Sequence, residues 1–196
     1  MNKGTVGYPG PPSPPADTGL LLPMGKYALV AAPNNGTVVP TLNTEYCYGV
    51  LLAAQLIDAM TVYLQSVGSG DSVVRLGVRA DDGSEPGATV AYETSLATAS
   101  GTGWKTVPFS YDHPGGIFWF SYVTQGTTAG TFQHCAGVPV HFITPLAGRR
   151  ATPDWTQGHW PFVASQTGVT ASFPSTSPAG LQSNVSAIAM GLRRAA

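Results

Sequence analysis

The sequence is poor in charge, and this scarcity already excludes several classes of protein. Only 10% of the residues are charged, against a usual share of about 25%. Together with 43% hydrophobic residues this argues against disorder. Nine Lys and Arg against ten Asp and Glu leave no basic excess to neutralise phosphates, so we expect no nucleic-acid binding. Monomers usually need surface charge for solubility, so the scarcity favours an oligomer.

Cysteines and long apolar runs are also scarce. The two cysteines, Cys47 and Cys135, are too few for a disulfide framework, and we expect buried free thiols, although pairing stays open. No apolar run approaches the ~18–20 residues of a membrane span, and residues 50–57 are the longest candidate. The N-terminus lacks the apolar core of a signal peptide. These features predict synthesis in the cytoplasm and no membrane insertion.

Glycine and proline are abundant, with 24 and 17 residues, and they separate short segments of β-prone sequence. Residues 60–65 and 74–79 alternate between apolar and polar side chains, as half-buried strands do. Residues 117–124 are apolar on both faces, which predicts a central strand. We expect strands near residues 27–30, 38–39, 45–52, 59–67, 72–80, 89–93, 101–107, 117–124, 131–133, 138–142 and 185–192, turns at 81–87 and 111–116, and helical turns at most at 41–45 and 95–100. This spacing predicts an all-β antiparallel sandwich or jelly roll.

Residues 1–25 differ in composition from the body predicted for residues 26–196. Their prolines prevent a helix or a central strand, so we expect an extended arm. A terminus is usually disordered unless something ties it down, so an ordered arm would dock on a neighbouring subunit or another protein. The alternative is a floppy linker. The candidate docking residues are Tyr8, Pro9, Pro11, Pro12, Pro14 and Pro15.

Residues with catalytic or metal-binding chemistry are present but are not arranged in a recognisable motif. His134 precedes Cys135, yet a zinc site needs three or four ligands, usually in short paired spacings. Asp81, Asp82 and Glu85 lack the spacing of an EF-hand and suit a tight turn. No nucleophile elbow, P-loop or dinucleotide fingerprint occurs. We therefore expect no catalytic residues, no metal and no cofactor.

An aromatic segment lies between residues 152 and 162. Aromatic side chains anchor protein interfaces and also stack on sugars, so this segment predicts a subunit contact, a loop folded onto the core, or a glycan site. Its candidate residues are Trp155, His159, Trp160 and Phe162.

Several segments together resemble the jelly-roll domains of minor tail and tail-fibre proteins of bacteriophages that infect actinobacteria. Residues 72–87 (SVVRLGVRADDGSEPG) resemble that family's strand and following DDG-x-PG turn, and residues 114–119 (PGGIFW) resemble its P-G-x-Y-W strand. Residues 166–170, the pair Phe173-Pro174, residues 178–180 and the end at 192–195 match the family's C-terminal pattern. The likeness covers roughly residues 45–196.

This resemblance implies a jelly-roll virion protein that often trimerises and has no catalytic residues to carry over. We expect a homotrimer, attached to other virion proteins by the N-terminal arm, assembled in the host cytoplasm and able to contact host-surface glycan. Family members often carry the domain at the end of a longer tail protein, so head decoration is one alternative. A lectin-like carbohydrate-binding module is another.

Overall fold

The computed structural model describes residues 21–29, 32–82, 85–137, 163–178, 181–182 and 187–196, and these residues form thirteen strands and no helix. The strands are β1 Tyr27–Leu29, β2 Ala32–Val38, β3 Thr44–Leu52, β4 Gln55–Ser66, β5 Val73–Asp81, β6 Pro86–Ala97, β7 Gly103–His113, β8 Gly116–Gln125, β9 Thr131–Gly137, β10 Val163–Thr167, β11 Leu181–Gln182, β12 Ala187–Ile188 and β13 Met190–Arg194.

These strands form two antiparallel sheets, consistent with the β-sandwich predicted from the sequence. One sheet has six strands in the order β11-β10-β3-β8-β5-β6. The other has seven strands in the path β1-β13-β4-β9-β12, with β2 paired to β9 and β7 paired to β4. Every pair of strands within the sheets is antiparallel.

Strands β2 to β9 behave as one long antiparallel ribbon that is folded over on itself. β2 pairs with β9, β3 with β8, β4 with β7 and β5 with β6, and the midpoint of the partners stays between 83.5 and 85 throughout. Representative partners are Thr37 with Gln133, Cys47 with Ser121, Gln55 with His113, and Val74 with Leu96. The tip of the ribbon is therefore the predicted turn, where the Asp82 amide donates to the Glu85 carbonyl.

The C-terminal strands enter the seven-stranded sheet where β4 and β9 separate. β9 pairs with β4 only at Leu64 and Ser66, after which β12 continues along β9 and β13 along β4. β10 and β11 instead extend the six-stranded sheet beyond β3. The folded ribbon and these later strands together enclose the core.

Alternation along the strands sends one set of side chains between the sheets. Val74, Leu76 and Val78 of β5 point into this main core, as their spacing predicts, and Phe120 of β8 packs beside them. The six-stranded sheet is buried on its other face as well, where Trp119 lies in a second cluster and Val123 in a third. The prediction that β8 is a central strand with two buried faces is therefore confirmed.

Several sequence expectations are wrong in their boundaries, and β2 begins at Ala32, although a strand is expected only near residues 38–39. Residues 95–97 continue β6 as a strand, where a helical turn was considered, and residues 111–113 continue β7, so the following turn is shorter than expected. Both extensions follow from the ribbon, because each strand continues for as long as its partner does. The strand expected at residues 138–142 lies outside the described residues.

Candidate functional site

The site residues expected from the sequence lie outside the residues that the structure describes. This holds for the arm positions Tyr8, Pro9, Pro11, Pro12, Pro14 and Pro15, and for the aromatic segment with Trp155, His159, Trp160 and Phe162. The described part of the chain instead contains two features that sequence reasoning missed. One is a buried polar network behind the six-stranded sheet, and the other is an exposed aromatic pair on the seven-stranded sheet.

The polar network is centred on Arg79 of β5 and Glu45 of β3, whose side chains are both fully buried. The Arg79 Nε donates to Glu45 Oε1 over 2.6 Å, and Nη2 donates to Oε2 over 2.9 Å. This is a bidentate pair, the strongest arrangement available to these two side chains. Gln166 of β10 adds a third donor, with its Nε2 2.8 Å from Glu45 Oε2.

Arg79 also binds backbone carbonyls from two distant parts of the chain. Its Nη1 donates to the carbonyls of Gly87, at 3.1 Å, and Thr176, at 3.2 Å, with a longer contact to Ala88. Its Nη2 donates to Pro174 over 2.9 Å. A guanidinium has five N–H donors and no acceptor, so this side chain has its donors matched to oxygens without water. Arg79 therefore ties the ribbon tip to the segment after β10.

That segment, residues 168–178, lies as a strap across the outer face of the six-stranded sheet. Gln125 of β8 donates from Nε2 to the Val169 and Ala171 carbonyls, both at 2.7 Å. The Phe173 amide donates to Glu93 Oε2 over 3.0 Å, and Glu93 also pairs with Arg75. The strap is thus fixed by side chains of three strands.

Phe173 is the apolar anchor of the strap, and it lies directly on Gly77 of β5. A Cβ on Gly77 would stand 2.6 Å from Phe173 Cε2, so only glycine leaves room for the ring there. The ring packs with Val123, Val169 and Val90, and the Arg79 guanidinium lies 5.8 Å from its centroid. The face of β5 that alternation marks as polar is therefore covered by the third apolar cluster, which contains Phe173 and Val123.

Cys47 is the nucleophile nearest to this network, and its surroundings suppress its reactivity. Its thiol is buried and free, it donates to Glu45 Oε1 at 3.4 Å, and it accepts from Ser121 Oγ at 3.1 Å. Burial, with the neighbouring Glu45 carboxylate, raises the pKa of Cys47 well above its usual value. A protonated thiol without access to solvent is inert. The network has the geometry of a structural clamp.

The predicted turn at residues 81–87 contributes to the same region. Asp81 Oδ1 accepts from the Trp119 indole Nε1 at 2.9 Å, so this carboxylate orients a buried tryptophan. Among the described residues no group of three His, Cys, Asp or Glu side chains could hold a metal ion. The turn predicted at residues 81–87 is too long, because Asp81 ends β5 and Pro86 begins β6, and these two residues are cross-strand partners.

The second feature is an exposed aromatic pair on the outer face of the seven-stranded sheet. Trp104 of β7 is 52% exposed, and its ring meets the ring of its cross-strand partner Tyr63 of β4 edge to face at 5.1 Å. Along β4, Thr61 lies two residues to one side of Tyr63 and bonds to Thr106 of β7 at 3.3 Å. Gln65 lies two residues to the other side.

Residues 21–25, the last of the range expected for an arm, are bound to the body near the C-terminus. Leu22 is buried in the main core and its amide donates to Gln55 Oε1 over 3.0 Å. The Gly25 amide donates to the Arg194 carbonyl over 2.9 Å, and the Ala195 amide donates to the Leu56 carbonyl. The first described residues and the last ones therefore lie together at one end of the sandwich.

The described residues contain no helix that is long and apolar enough to cross a membrane. Comparison of the chain with protein-family models, with curated proteins and with solved structures finds no match.

Proposed function

We propose that this chain is a structural protein of a bacteriophage particle, of minor tail or tail-fibre type. Its body is a jelly roll that assembles into a homotrimer, and its proline-rich N-terminal segment docks it on other virion proteins. The protein works by assembly and by surface contact and not by catalysis. An exposed face contacts glycan on the host surface.

The observation that carries this proposal is the meeting of the resembling segments around Arg79. Arg79 and Asp81 belong to residues 72–87, Trp119 belongs to residues 114–119, and Pro174 follows Phe173 in the C-terminal pattern. The Trp119 indole donates to Asp81, and Arg79 donates to the Pro174 carbonyl. Phe173 covers Gly77, which lies between Arg75 and Arg79 on β5. Segments far apart in sequence thus form one packing unit, which is what a shared fold would require of them.

The strand pairing supports the jelly-roll assignment. Among the eight strands β2 to β9, the first pairs with the last, the second with the seventh, the third with the sixth and the fourth with the fifth. A jelly roll is this kind of eight-stranded double sheet made by wrapping one antiparallel ribbon. The complete burial of Glu45, Arg79 and Cys47 favours a structural role for this polar network.

The test has two parts, oligomeric mass and position on the particle. Light scattering of the purified chain should give the mass of three 20.3 kDa chains. Gold-labelled antibody against the chain should mark the tail of intact particles. A monomer that is absent from particles would refute the proposal, and labelling of the head would favour the decoration alternative.

The arm is tested by deletion, and the structure sets the length of the deletion. Removing residues 1–20 keeps Leu22 and its bond to Gln55, whereas removal through residue 25 would also take Leu22 out of the core. The shorter deletion should leave the urea midpoint unchanged and abolish loading onto particles that lack the protein. Normal loading of this variant would show that the arm is not the anchor. A Leu22→Ala variant of the full chain separates loss of stability from loss of docking.

A further inference from the structure

The outer face of the seven-stranded sheet contains three neighbouring pairs of uncharged side chains. Two are cross-strand partners on β4 and β7, and the third is joined by a hydrogen bond between β4 and β9. The middle pair is Tyr63 with Trp104, one flanking pair is Thr61 with Thr106, and the other flanking position holds Gln65, which hydrogen-bonds to Gln133 of β9. The aromatic pair therefore has hydroxyl groups on one side and amide groups on the other.

We propose that five of these side chains line a binding site for a neutral glycan, with one sugar ring stacked on Trp104 and bordered by Tyr63, while the buried Thr61 holds Thr106 from beneath. This inference rests on the proposed function, because it assigns a site and a ligand class to the glycan contact proposed there. It is separate from the aromatic segment around Trp155 and Trp160.

The exposure of Trp104 is the first argument. Burial stabilises a large apolar side chain, yet Trp104 leaves 52% of its surface in water. A tryptophan combines a broad rigid ring with only two side-chain torsions, so it loses little entropy when a ligand covers it. Its edge-to-face contact with Tyr63 fixes the ring before a ligand arrives.

The spacing and the chemistry of the flanking positions are the second argument. Side chains two residues apart on a strand stand about 6.6–6.8 Å apart, which places hydroxyl and amide groups on both sides of a ring stacked at the centre. A sugar ring has an apolar C–H face and a rim of hydroxyl groups, so it fits an aromatic floor with a polar border. Thr106 and Gln65 are exposed and are available to those hydroxyls.

The lack of charged side chains at these positions favours a neutral ligand. None of the six side chains is charged, and the ammonium group of Lys105, which neighbours Trp104 in the chain, donates to the Ser100 carbonyl over 2.6 Å. An anionic polymer would lack a cation on these positions. The corresponding outer face of the six-stranded sheet is covered by the strap, so it offers no comparable surface at Phe173.

Hydrogen bonds within the site hold its polar border in place. Thr61 Oγ1 donates to the Lys105 carbonyl over 3.0 Å, and Thr106 Oγ1 donates to Thr61. Gln133 Nε2 donates to the Gly36 carbonyl over 3.0 Å while its Oε1 accepts from Gln65. A site whose side chains are fixed in advance loses less entropy on binding.

The experiment is affinity electrophoresis of the full-length chain through native gels that contain soluble β-glucan, mannan or galactan. At least one polymer should retard the wild-type chain. The Trp104→Ala variant should raise the apparent Kd about tenfold or more, as loss of a central aromatic anchor does, and Trp104→Phe should keep part of the affinity. Tyr27→Ala is the matched control, because Tyr27 is an exposed aromatic residue beside Arg193, away from these pairs.

Each other outcome overturns the inference. These outcomes are no retardation in any of the three gels, equal retardation of the wild type and Trp104→Ala, or an equal loss in Tyr27→Ala. Loss of the trimer in Trp104→Ala, seen by light scattering, would make this face a subunit contact instead. The site can fail while the wild-type chain is still a trimer on the phage tail, so its failure is distinguishable from failure of the proposed function.

Discussion

Replacing Arg79 by methionine should destabilise the protein more than any surface change, because it leaves a buried carboxylate without its cation. Among the described residues, Glu45 would keep the Gln166 amide, at 2.8 Å, and the Cys47 thiol, at 3.4 Å, as its remaining side-chain donors. Breaking a buried ion pair by removing one partner costs about 3–5 kcal/mol. That is a large fraction of the ~5–15 kcal/mol that stabilises a typical domain.

The measurement is urea unfolding followed by tryptophan fluorescence. With a slope of about 2 kcal/mol per molar urea, the midpoint of Arg79→Met should fall by about 2 M. Glu45→Gln should lose a similar amount, since it leaves the guanidinium unpaired. The double variant Arg79→Met with Glu45→Met should be less destabilised than the sum of the two single variants, because no buried charge remains.

Arg75 and Glu93 supply the control for this prediction. Their side chains are 22% and 19% exposed and they pair at 2.6 Å on the same face of the sheet. Removing Arg75 should cost about 1 kcal/mol, since water screens a partly exposed pair. If Arg79→Met lowers the urea midpoint by less than about 0.5 M, or no more than Arg75→Met does, the clamp does not stabilise the fold as argued.

Three further predictions follow from the packing and the titratable groups. Gly77→Ala should cost about 1–3 kcal/mol in urea unfolding, because its Cβ would overlap Phe173 and would stand 2.9 Å from the Tyr92 carbonyl oxygen; an unchanged midpoint would refute the close contact. Burial lowers the pKa of His113 to about 4, so the unfolded chain binds the proton more tightly. Stability should therefore be full above about pH 6.5 and should fall by about 3 kcal/mol as the pH drops toward 4, and His113→Phe should flatten this slope relative to wild type. The Ser69 hydroxyl lowers the pKa of Asp71 to about 2, so its contribution is present above about pH 4 and is lost as the pH falls through 2; a carboxyl titration by NMR with a midpoint near 3.8 would contradict this.

Local alternation was sufficient to predict the main core. Val74, Leu76 and Val78 recur every second residue, and a strand must send such residues to one face. The apolar residues on both faces of β8 likewise predicted that it lies between two covered surfaces, with Phe120 on one side and Trp119 on the other. These predictions depend only on the pattern of residues along one strand, so they can be made from the sequence alone.

The burial of Arg79 could not be predicted from its own strand. On β5 it alternates with the core residues as a solvent-facing side chain would, and the strap that covers it is almost a hundred residues further along the chain. The one local signal is Gly77, a residue that weakens a strand unless another group must approach its backbone. A glycine between two arginines on the polar face indicates that something packs there, but it does not identify Phe173.

The two outer faces should therefore respond differently to mutation. The strap uses Phe173 and the Arg79 bonds to make one face part of the fold, so substitutions there should change stability and leave surface contacts unaltered. Trp104 faces water on the other sheet and packs mainly on Tyr63, so its replacement removes contact surface at small cost to folding. Of these two described faces, we expect a variant that changes glycan retention without changing the urea midpoint on the seven-stranded sheet. The asymmetry arises because residues 168–178 cross one sheet and leave Trp104 of the other exposed.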